Sequence, residues 1–259
     1  MKIALAEGGR ILMQHFGKIL ETKVKENISS VVTQADYASE KRILEVLADA
    51  KITANSISEE AGFLHVGSDF TWVIDPLDGT SNFAAELPWF GVIIALFREN
   101  EPLLAGMYLP VMEHLYLAEQ GKGALRDGHP IRTSRSGDLT QHLVAYSFDY
   151  SDEPEKTIRE MNLLARLSKQ VRNIRSTNSL YDFCVVADGR IGAALNQTTK
   201  IWDIAAASLL IKEAGGVVSG VDGGAIEFDL TEGSHMKNYT IAAAGAGIHD
   251  ALMRIVNPS

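Results

Sequence analysis

The order of apolar segments along the chain restricts its possible folds more than any other feature. Two segments with helical spacing come first, from Ile3 to Lys18 and from about Thr33 onward. Five short strands without intervening helices then follow, as is typical of an antiparallel meander. They are predicted at residues 52–57, 70–74, 90–97, 103–108 and 114–118. The first part of the chain is therefore predicted to be α+β.

The pattern changes after about Ser136, where strands and helices begin to alternate. Strands are predicted at residues 143–148, 171–174, 191–195, 217–220 and 239–244, and helices at 153–168, 180–187, 203–214 and 250–255. Such alternation is typical of an α/β arrangement. We therefore predict an α+β lobe at residues 1–136 and an α/β lobe at residues 137–259, which share one core and have a cleft between them.

Composition limits the classes of partner. The chain has 259 residues, with 24 basic and 33 acidic ones, and a net charge of -9. This charge disfavours nucleic acids and anionic membranes, which bind basic surfaces. No stretch of 18 apolar residues occurs, so a membrane-spanning helix is not expected. The single cysteine, Cys184, excludes an internal disulfide, and a cytoplasmic location is expected.

Four short acidic segments are the most informative local features. Glu59 follows one predicted strand, and Asp75-Pro-Leu-Asp78 follows another. Asp36 and Asp203 lie near the starts of predicted helices. Mg²⁺ binds a few carboxylates together with substrate phosphate. These segments therefore predict a metal site, whose bound cation would also allow an acidic protein to accept an anionic substrate.

The residues Gly79-Thr80-Ser81 come directly after this acidic turn. If a helix begins at Ser81, their amide groups point outward at its positive end, where a phosphate is stabilised. Glycine allows the ligand to approach the backbone closely. The stretch from Asp75 to Ser81 therefore predicts adjacent metal and phosphate sites.

Four segments together resemble the inositol monophosphatase family. The stretch from Trp72 to Phe83 (WVIDPLDGTSNF) resembles its first signature. Trp202-Asp-Ile-Ala-Ala-Ala, followed by Glu213-Ala-Gly-Gly, resembles the second. Val32-Thr-Gln-Ala-Asp and Ile57-Ser-Glu-Glu match two further segments in the right order. The resemblance spans about residues 3–250.

This resemblance implies a layered αβαβα sugar-phosphatase fold, a homodimer and two or three Mg²⁺ ions. Glu59, Asp75 and the carbonyl of Leu77 would bind the first ion. Asp75, Asp78 and Asp203 would bind the second, and a weaker third would lie near Glu59. Sensitivity to Li⁺ is also implied.

The resemblance assigns catalytic roles as well. Thr80, hydrogen-bonded to Asp36, would act with Glu59 to activate a water, whose pKa a metal lowers. Asp203 would orient a second water that protonates the leaving group. The substrate-binding residues implied are Asp78, Gly79, Thr80, Ser81, Asn178, Ser179, Asn196 and Asp203.

The chain departs from the family pattern where the leaving group should bind. Asn178 and Leu180 stand where small residues are expected, which predicts a narrower or differently shaped pocket. Asn196 stands where inositol-specific members have an acidic residue that binds sugar hydroxyl groups. Its neutral amide can still contact a hydroxyl group, but the charge preference at this position is lost. Ser30 replaces an upstream aspartate. The metal half of the pattern is intact, whereas the recognition half differs.

The leading hypothesis is therefore Mg²⁺-dependent hydrolysis of a small phosphate monoester, such as an inositol or sugar phosphate. A 3′(2′),5′-bisphosphate nucleotidase is the first alternative, with Arg175 and Lys200 as candidates for binding a second phosphate. Histidinol phosphate and fructose 1,6-bisphosphate are further candidate substrates. A non-catalytic interaction protein that retains the fold is the alternative from a different class.

Overall fold

The computed structural model describes residues 1–18, 23–24 and 31–258, and side chains for 1–18 and 33–258. Within these residues the helices are α1 (Lys2–His15), α2 (Gln34–Asp49), α3 (Thr80–Ala84), α4 (Pro154–Leu167), α5 (Leu180–Ala187), α6 (Ile201–Glu213) and α7 (His249–Val256). None of them has the length and apolar character needed to cross a membrane. Ser30, which departs from the family pattern, lies outside the described residues.

Fifteen strands are described. They are β1 (Lys23–Val24), β2 (Val31–Val32), β3 (Asn55–Ser58), β4 (Gly62–Leu64), β5 (Phe70–Asp78), β6 (Gly91–Arg98), β7 (Glu101–Leu109), β8 (His114–Glu119), β9 (Gly123–Arg126), β10 (His129–Pro130), β11 (Leu143–Ser147), β12 (Asn173–Arg175), β13 (Ala193–Thr199), β14 (Gly216–Ser219) and β15 (Tyr239–Gly245).

These strands form a β1–β2 pair and two larger sheets. The eight-stranded sheet has the order β10-β9-β8-β7-β6-β5-β3-β4, and all its neighbours are antiparallel except β3 and β5. The predicted antiparallel meander is therefore confirmed from β5 to β8, whereas β3 and β5 are parallel and the short helix α3 lies between β5 and β6. The five-stranded sheet has the order β12-β11-β13-β15-β14, with β11 parallel to both of its neighbours. Its other pairs are antiparallel.

The helices and sheets stack in five layers. Helices α1 and α2 cover one face of the large sheet, and α6 packs on the other face. Helices α5 and α6 also contact the small sheet, whose outer face carries α4 and α7. The order is therefore αβαβα, which confirms the expected fold.

The apolar strands β5 and β6 explain why the large sheet needs helices on both faces. Successive side chains of a strand point to opposite faces. Val73 and Ile93 accordingly join the core shared with α5 and α6, whereas Ile74 and Ile94 join the core under α1 and α2. All four side chains are fully buried. Continuous apolar strands thus become the middle of a layered structure.

Most predicted elements are confirmed with shifted ends. Thr33 is the N-cap of α2, as predicted, and forms a capping box with Asp36. The strand predicted at 52–57 begins later, at Asn55, and α6 begins before Asp203, at Ile201. Strands β4, β9 and β10 have only two to four residues. Their periodicity was too short to predict them.

Gly91 provides a test of the packing between β6 and its neighbours. A Cβ atom at Gly91 would collide with the backbone carbonyl oxygen of Tyr108 and would lie 3.0 Å from the Leu180 side chain. We expect Gly91→Ala to destabilise the protein by about 3 kcal/mol, because a backbone atom in the middle of a sheet has little room to move. Thermal unfolding should show a Tm lower by roughly 6–12 °C.

The matched control is Gly137→Ala, since a Cβ there meets its nearest atom, the Gly247 carbonyl oxygen, at 3.7 Å. Its Tm should stay close to that of the parent protein. Equal Tm values for the two variants would contradict this packing account.

Candidate active site

The strand β5 carries two aspartates at a β-bulge. Asp75 pairs with Ile93 and Asp78 with Gly91, so three steps along β5 match two steps along β6. In a regular strand, residues three apart point to opposite faces of the sheet. The extra residue of the bulge removes this mismatch. Asp75 and Asp78 both line one cleft as a result.

Local hydrogen bonds hold the bulge in place. The Leu77 amide donates to Asp75 Oδ1 at 3.0 Å, and Ser39 Oγ of α2 donates to the Pro76 carbonyl at 2.8 Å. Proline has no N–H group to leave unpaired, so it suits a bulge. The prediction that this strand ends at Ile74 is wrong, because pairing with β6 resumes at Asp78.

Two further carboxylates come from neighbouring elements. Glu59 follows β3, which is parallel to β5, and its amide donates to the Ile74 carbonyl at 3.2 Å. Asp203 is the third residue of α6, and its Oδ2 accepts a hydrogen bond from the Lys200 amide at 2.6 Å. This bond at the positive end of the helix fixes the Asp203 carboxylate.

The aspartates from these separate elements converge. Carboxylate oxygens of Asp75, Asp78 and Asp203 all lie within 4.8 Å of one another. They line a cleft of about 250 Å³ together with Glu59 and Leu77. The acidic lining residues are Glu59, Asp75, Asp78, Asp149, Asp182 and Asp203, and no Lys, Arg or His lines the cleft within the described part of the chain.

Loss of hydration and mutual repulsion raise the pKa values of the three converging aspartates. Burial raises the pKa of Asp75 well above its ordinary value, and the charge of Glu59 adds to this effect. Burial also raises the pKa of Asp78 to about 7, although a hydrogen bond from the Leu180 amide opposes the shift. The pKa of Asp203 is raised by burial and by the charge of Asp78.

This donor set fits a hard divalent cation. Mg²⁺ binds carboxylate and carbonyl oxygens, and its charge would neutralise the repulsion that raises these pKa values. The lining residues of the described cleft include no basic side chain that could do the same. A bound cation is therefore the simplest way to keep Asp75, Asp78 and Asp203 ionised in the folded protein.

The predicted phosphate loop lines the same cleft. Gly79 has a φ of 82° and precedes the short helix α3, which begins at Thr80, one residue before the predicted start. A Cβ at Gly79 would lie 2.6 Å from the Trp89 carbonyl oxygen, so both conformation and space require glycine. Gly79, Thr80 and Ser81 all face the cleft beside Asp78.

Thr80 connects the cleft to a buried carboxylate beneath it. Its Oγ1 lies 3.2 Å from Asp36 Oδ1 and 2.9 Å from the Leu77 carbonyl oxygen, so its one proton serves either acceptor. Asp36 is fully buried and also accepts hydrogen bonds from the amide and hydroxyl of Thr33. Asp36 does not itself line the cleft, but its hydrogen bond with Thr80 connects it to a residue that does.

The remaining predicted residues form another wall of the cleft. Asn178, Ser179 and Asn196 all line it, and Ser179 caps α5 through a hydrogen bond from the Tyr181 amide. Asn196 Nδ2 donates to Asn178 Oδ1 at 3.3 Å. Of the two residues expected to make the pocket narrower or differently shaped, Asn178 lines the cleft, whereas Leu180 does not, because its side chain is fully buried in the core.

Sequence reasoning missed several lining residues, above all Asp149 and Asp182. Asp149 comes just after β11 and accepts a hydrogen bond from Asn178 Nδ2 at 2.8 Å. Its place at the end of a predicted strand was a usable signal, the same one that identified Glu59. Asp182 lies within α5 and accepts hydrogen bonds from the Thr177 amide and Ser147 Oγ, so no sequence pattern marked it.

Comparisons with known proteins point to one family. The model of the inositol monophosphatase family matches residues 1–258. The "Fructose-1,6-bisphosphatase/inositol-1-monophosphatase" of Aquifex aeolicus is 33% identical over 222 residues, 83% of this chain and 82% of that protein. The "Inositol-1-monophosphatase" of Caulobacter vibrioides is 30% identical over 257 residues, 96% of each chain.

A solved structure gives the same result for the fold. The extragenic suppressor protein suhB from Bartonella henselae superposes with a TM-score of 0.90 at 28% sequence identity. The superposition covers 100% of this chain and 97% of that one.

The raised pKa values predict how stability depends on pH in the chelated, metal-free protein. Asp78 holds its proton up to about pH 7 in the folded state, against an ordinary pKa of 3.8. Between these values the folded state binds more protons than the unfolded chain, so stability falls as pH rises. The free energy of unfolding should fall by at most about 1.4 kcal/mol per pH unit for this group.

Thermal unfolding in the presence of a chelator measures this dependence. Asp75→Asn should raise the Tm of the metal-free protein, because it removes one of the repelling charges. Asp49→Asn, at the exposed end of α2, is the control and should change nothing. A metal-free Tm that increases across this pH window, or a lower Tm for Asp75→Asn, would contradict the electrostatic account.

Proposed function

The chain belongs to the inositol monophosphatase family, and from that membership we propose that it is a Mg²⁺-dependent phosphatase acting on a small phosphate monoester. One observation carries the proposal: three converging aspartates lie beside the Gly79–Ser81 loop in a cleft whose described lining has no basic side chain. An anionic phosphate enters such a cleft favourably only together with cations.

We propose that the acidic wall holds two or three Mg²⁺ ions. The residues that would hold them are Glu59, Asp75, Leu77 through its carbonyl, Asp78 and Asp203. When bound, Mg²⁺ would supply Lewis-acid activation of water and of the phosphate and neutralise the charge that develops during hydrolysis.

The residues around the cleft would orient the reactants. The amides of Gly79, Thr80 and Ser81 bind the phosphate oxygens at the start of α3. With the Leu77 carbonyl assigned to a cation, the Thr80 hydroxyl would donate its hydrogen bond to Asp36 Oδ1, and its oxygen would accept a hydrogen bond from the attacking water. Glu59 accepts a proton from that water as the new oxygen–phosphorus bond forms.

The leaving alcohol departs as the original ester bond to phosphorus breaks. Its oxygen needs a proton, which a water oriented by Asp203 would provide. Asp203 is fixed for this task by the hydrogen bond from the Lys200 amide. No group on the protein becomes covalently phosphorylated in this scheme.

The structure gives less support to a bisphosphate nucleotide as substrate. The Arg175 guanidinium donates to the Ile174 carbonyl, and the Lys200 ammonium donates to the Met236 carbonyl. Neither of these two candidate residues lines the cleft. We therefore favour a monophosphate.

We also propose an oligomeric state and a cellular location for the protein. Family membership supports a homodimer, and the single, fully buried Cys184 fits a cytoplasmic protein. An additional protein-binding role would be independent of the acidic cluster. A stoichiometric protein partner retained by Asp78→Asn would support that role.

The first test is phosphate release from a panel of monoesters with Mg²⁺ and with a chelator. We expect turnover only with Mg²⁺ and inhibition by Li⁺. Asp78→Asn should lower kcat/KM by about a thousandfold or more, because it removes a ligand from the shared cluster. Asp49→Asn should retain activity, and hydrolysis that is unaffected by Asp78→Asn would contradict the proposal.

A second test concerns Thr80, whose hydroxyl would orient the attacking water. Thr80→Val removes the hydroxyl but keeps the branched shape of the side chain. We expect kcat to fall by about a hundredfold or more with little change in KM or in Mg²⁺ affinity measured by calorimetry. A large loss of Mg²⁺ affinity with normal kcat at saturating metal would assign Thr80 to metal binding instead.

A further inference from the structure

Asp149 is an acidic residue of the cleft that has no role in the proposed chemistry. It follows β11, separate in the chain from the proposed metal-binding residues. Its charge nevertheless helps to raise the pKa of Asp78 and Asp203, so it acts on the same enclosed space. Asp149 is partly exposed, and burial raises its own pKa.

A directed chain of hydrogen bonds ends at this carboxylate. The Thr198 amide can only donate, so it requires Asn196 to present its oxygen, at 2.8 Å. Asn196 Nδ2 then donates to Asn178 Oδ1 at 3.3 Å. Asn178 Nδ2 donates in turn to Asp149 Oδ1 at 2.8 Å. Each amide orientation is thereby fixed, and the chain ends on an acceptor.

The second carboxylate oxygen, Asp149 Oδ2, has no hydrogen bond within the described part of the chain. Asp149 lines the cleft, so a bound molecule can donate a hydrogen bond to this oxygen. Asn178 adopts a φ of 52°, a left-handed conformation that a non-glycine residue seldom adopts. This backbone conformation accompanies the contact of Asn178 with Asp149.

Lys156 is a basic residue whose charge acts on Asp149 and opposes the effect of burial on the pKa of that carboxyl. The Lys156 ammonium donates to Thr198 Oγ1 at 2.6 Å and lies 3.9 Å from Oε1 of the buried Glu160. Lys156 is not among the residues that line the cleft. A second phosphate placed here would therefore meet the Asp149 carboxylate, while Lys156 is held by Thr198 and Glu160.

On the premise of the proposed phosphatase function, we propose that Asp149 is the specificity-determining residue for the alcohol part of the ester. Its carboxylate accepts a hydrogen bond from a hydroxyl group of a polyhydroxylated leaving group and repels a second phosphate. Asn178 and Asn196 are positioning residues that hold it. The acidic contact expected at Asn196 is thus moved to the end of β11, and Asn196 becomes part of its support.

Asp149→Asn tests this assignment, because asparagine keeps the shape but loses the charge and one acceptor. Three substrates separate the effects: inositol 1-phosphate, which is rich in hydroxyl groups; fructose 1,6-bisphosphate; and p-nitrophenyl phosphate, which has no hydroxyl group in its leaving group. We expect kcat/KM for inositol 1-phosphate to fall by about 10- to 100-fold, as for the loss of a hydrogen bond to a charged group.

With p-nitrophenyl phosphate the kcat/KM of the variant should stay within about threefold of that of the parent protein, because the phosphate and metal sites are unchanged. The ratio of kcat/KM for the bisphosphate to that for inositol 1-phosphate should rise by about tenfold or more, since the repulsive charge is gone. Glu155→Gln is the control, because Glu155 lies close in the chain with its side chain 91% exposed. It should leave all three values unchanged.

The outcomes distinguish a failure of the Asp149 specificity role from a failure of the proposed phosphatase function. If the parent protein hydrolyses p-nitrophenyl phosphate and Asp149→Asn lowers all three activities equally, or none, the specificity role is wrong while the phosphatase function stands. If the parent protein hydrolyses none of the three esters with Mg²⁺, the proposed function fails and this inference fails with it.

Discussion

The electrostatic repulsion among Asp75, Asp78 and Asp203 is the constraint on which the structure of this protein depends. Their carboxylate oxygens lie within 4.8 Å of one another, where like charges out of bulk water repel strongly. The fold has to oppose this repulsion from three directions. It does so with a bulge in β5, a capping hydrogen bond at the start of α6 and a backbone amide from Leu180. These contacts hold the three carboxylates close together.

Holding these carboxylates close together favours function at the expense of the stability of the folded protein. Ionised carboxylates that are held together destabilise the folded protein until a cation binds, and binding then releases that free energy. The αβαβα layers compensate for this loss of stability by burying apolar side chains, since both faces of β5 and β6 lie in hydrophobic cores. The acidic wall and the Gly79–Ser81 loop together suit an anion that binds with its counterions. The cleft wall formed by Asp149, Asn178 and Asn196 addresses the part of a substrate that carries no phosphate.

Apolar periodicity predicted the antiparallel sheet and the alternation of strands and helices, and residues adjacent in the chain predicted the acidic turn and the Gly79–Ser81 loop. The αβαβα layers and the other site residues were implied by the family resemblance. Prediction from the sequence failed where geometry depends on pairing between distant segments. The bulge between Asp75 and Asp78 depends on the register with β6, so the prediction that the strand ends at Ile74 missed it. Leu180 was expected in the pocket but lies in the core. Asp149 was missed although it follows a predicted strand, and its contact with Asn178 depends on tertiary packing.

Proton release on metal binding tests the central claim most directly. The metal-free protein should hold protons on the aspartate cluster near pH 6, because the pKa of Asp78 is about 7 and those of Asp75 and Asp203 are raised well above the ordinary value. Calorimetric titration with Mg²⁺ in buffers of different ionisation enthalpy measures the protons displaced. We predict release at this pH that disappears in Asp75→Asn/Asp78→Asn. Binding without proton release, or no binding at all, would contradict the account.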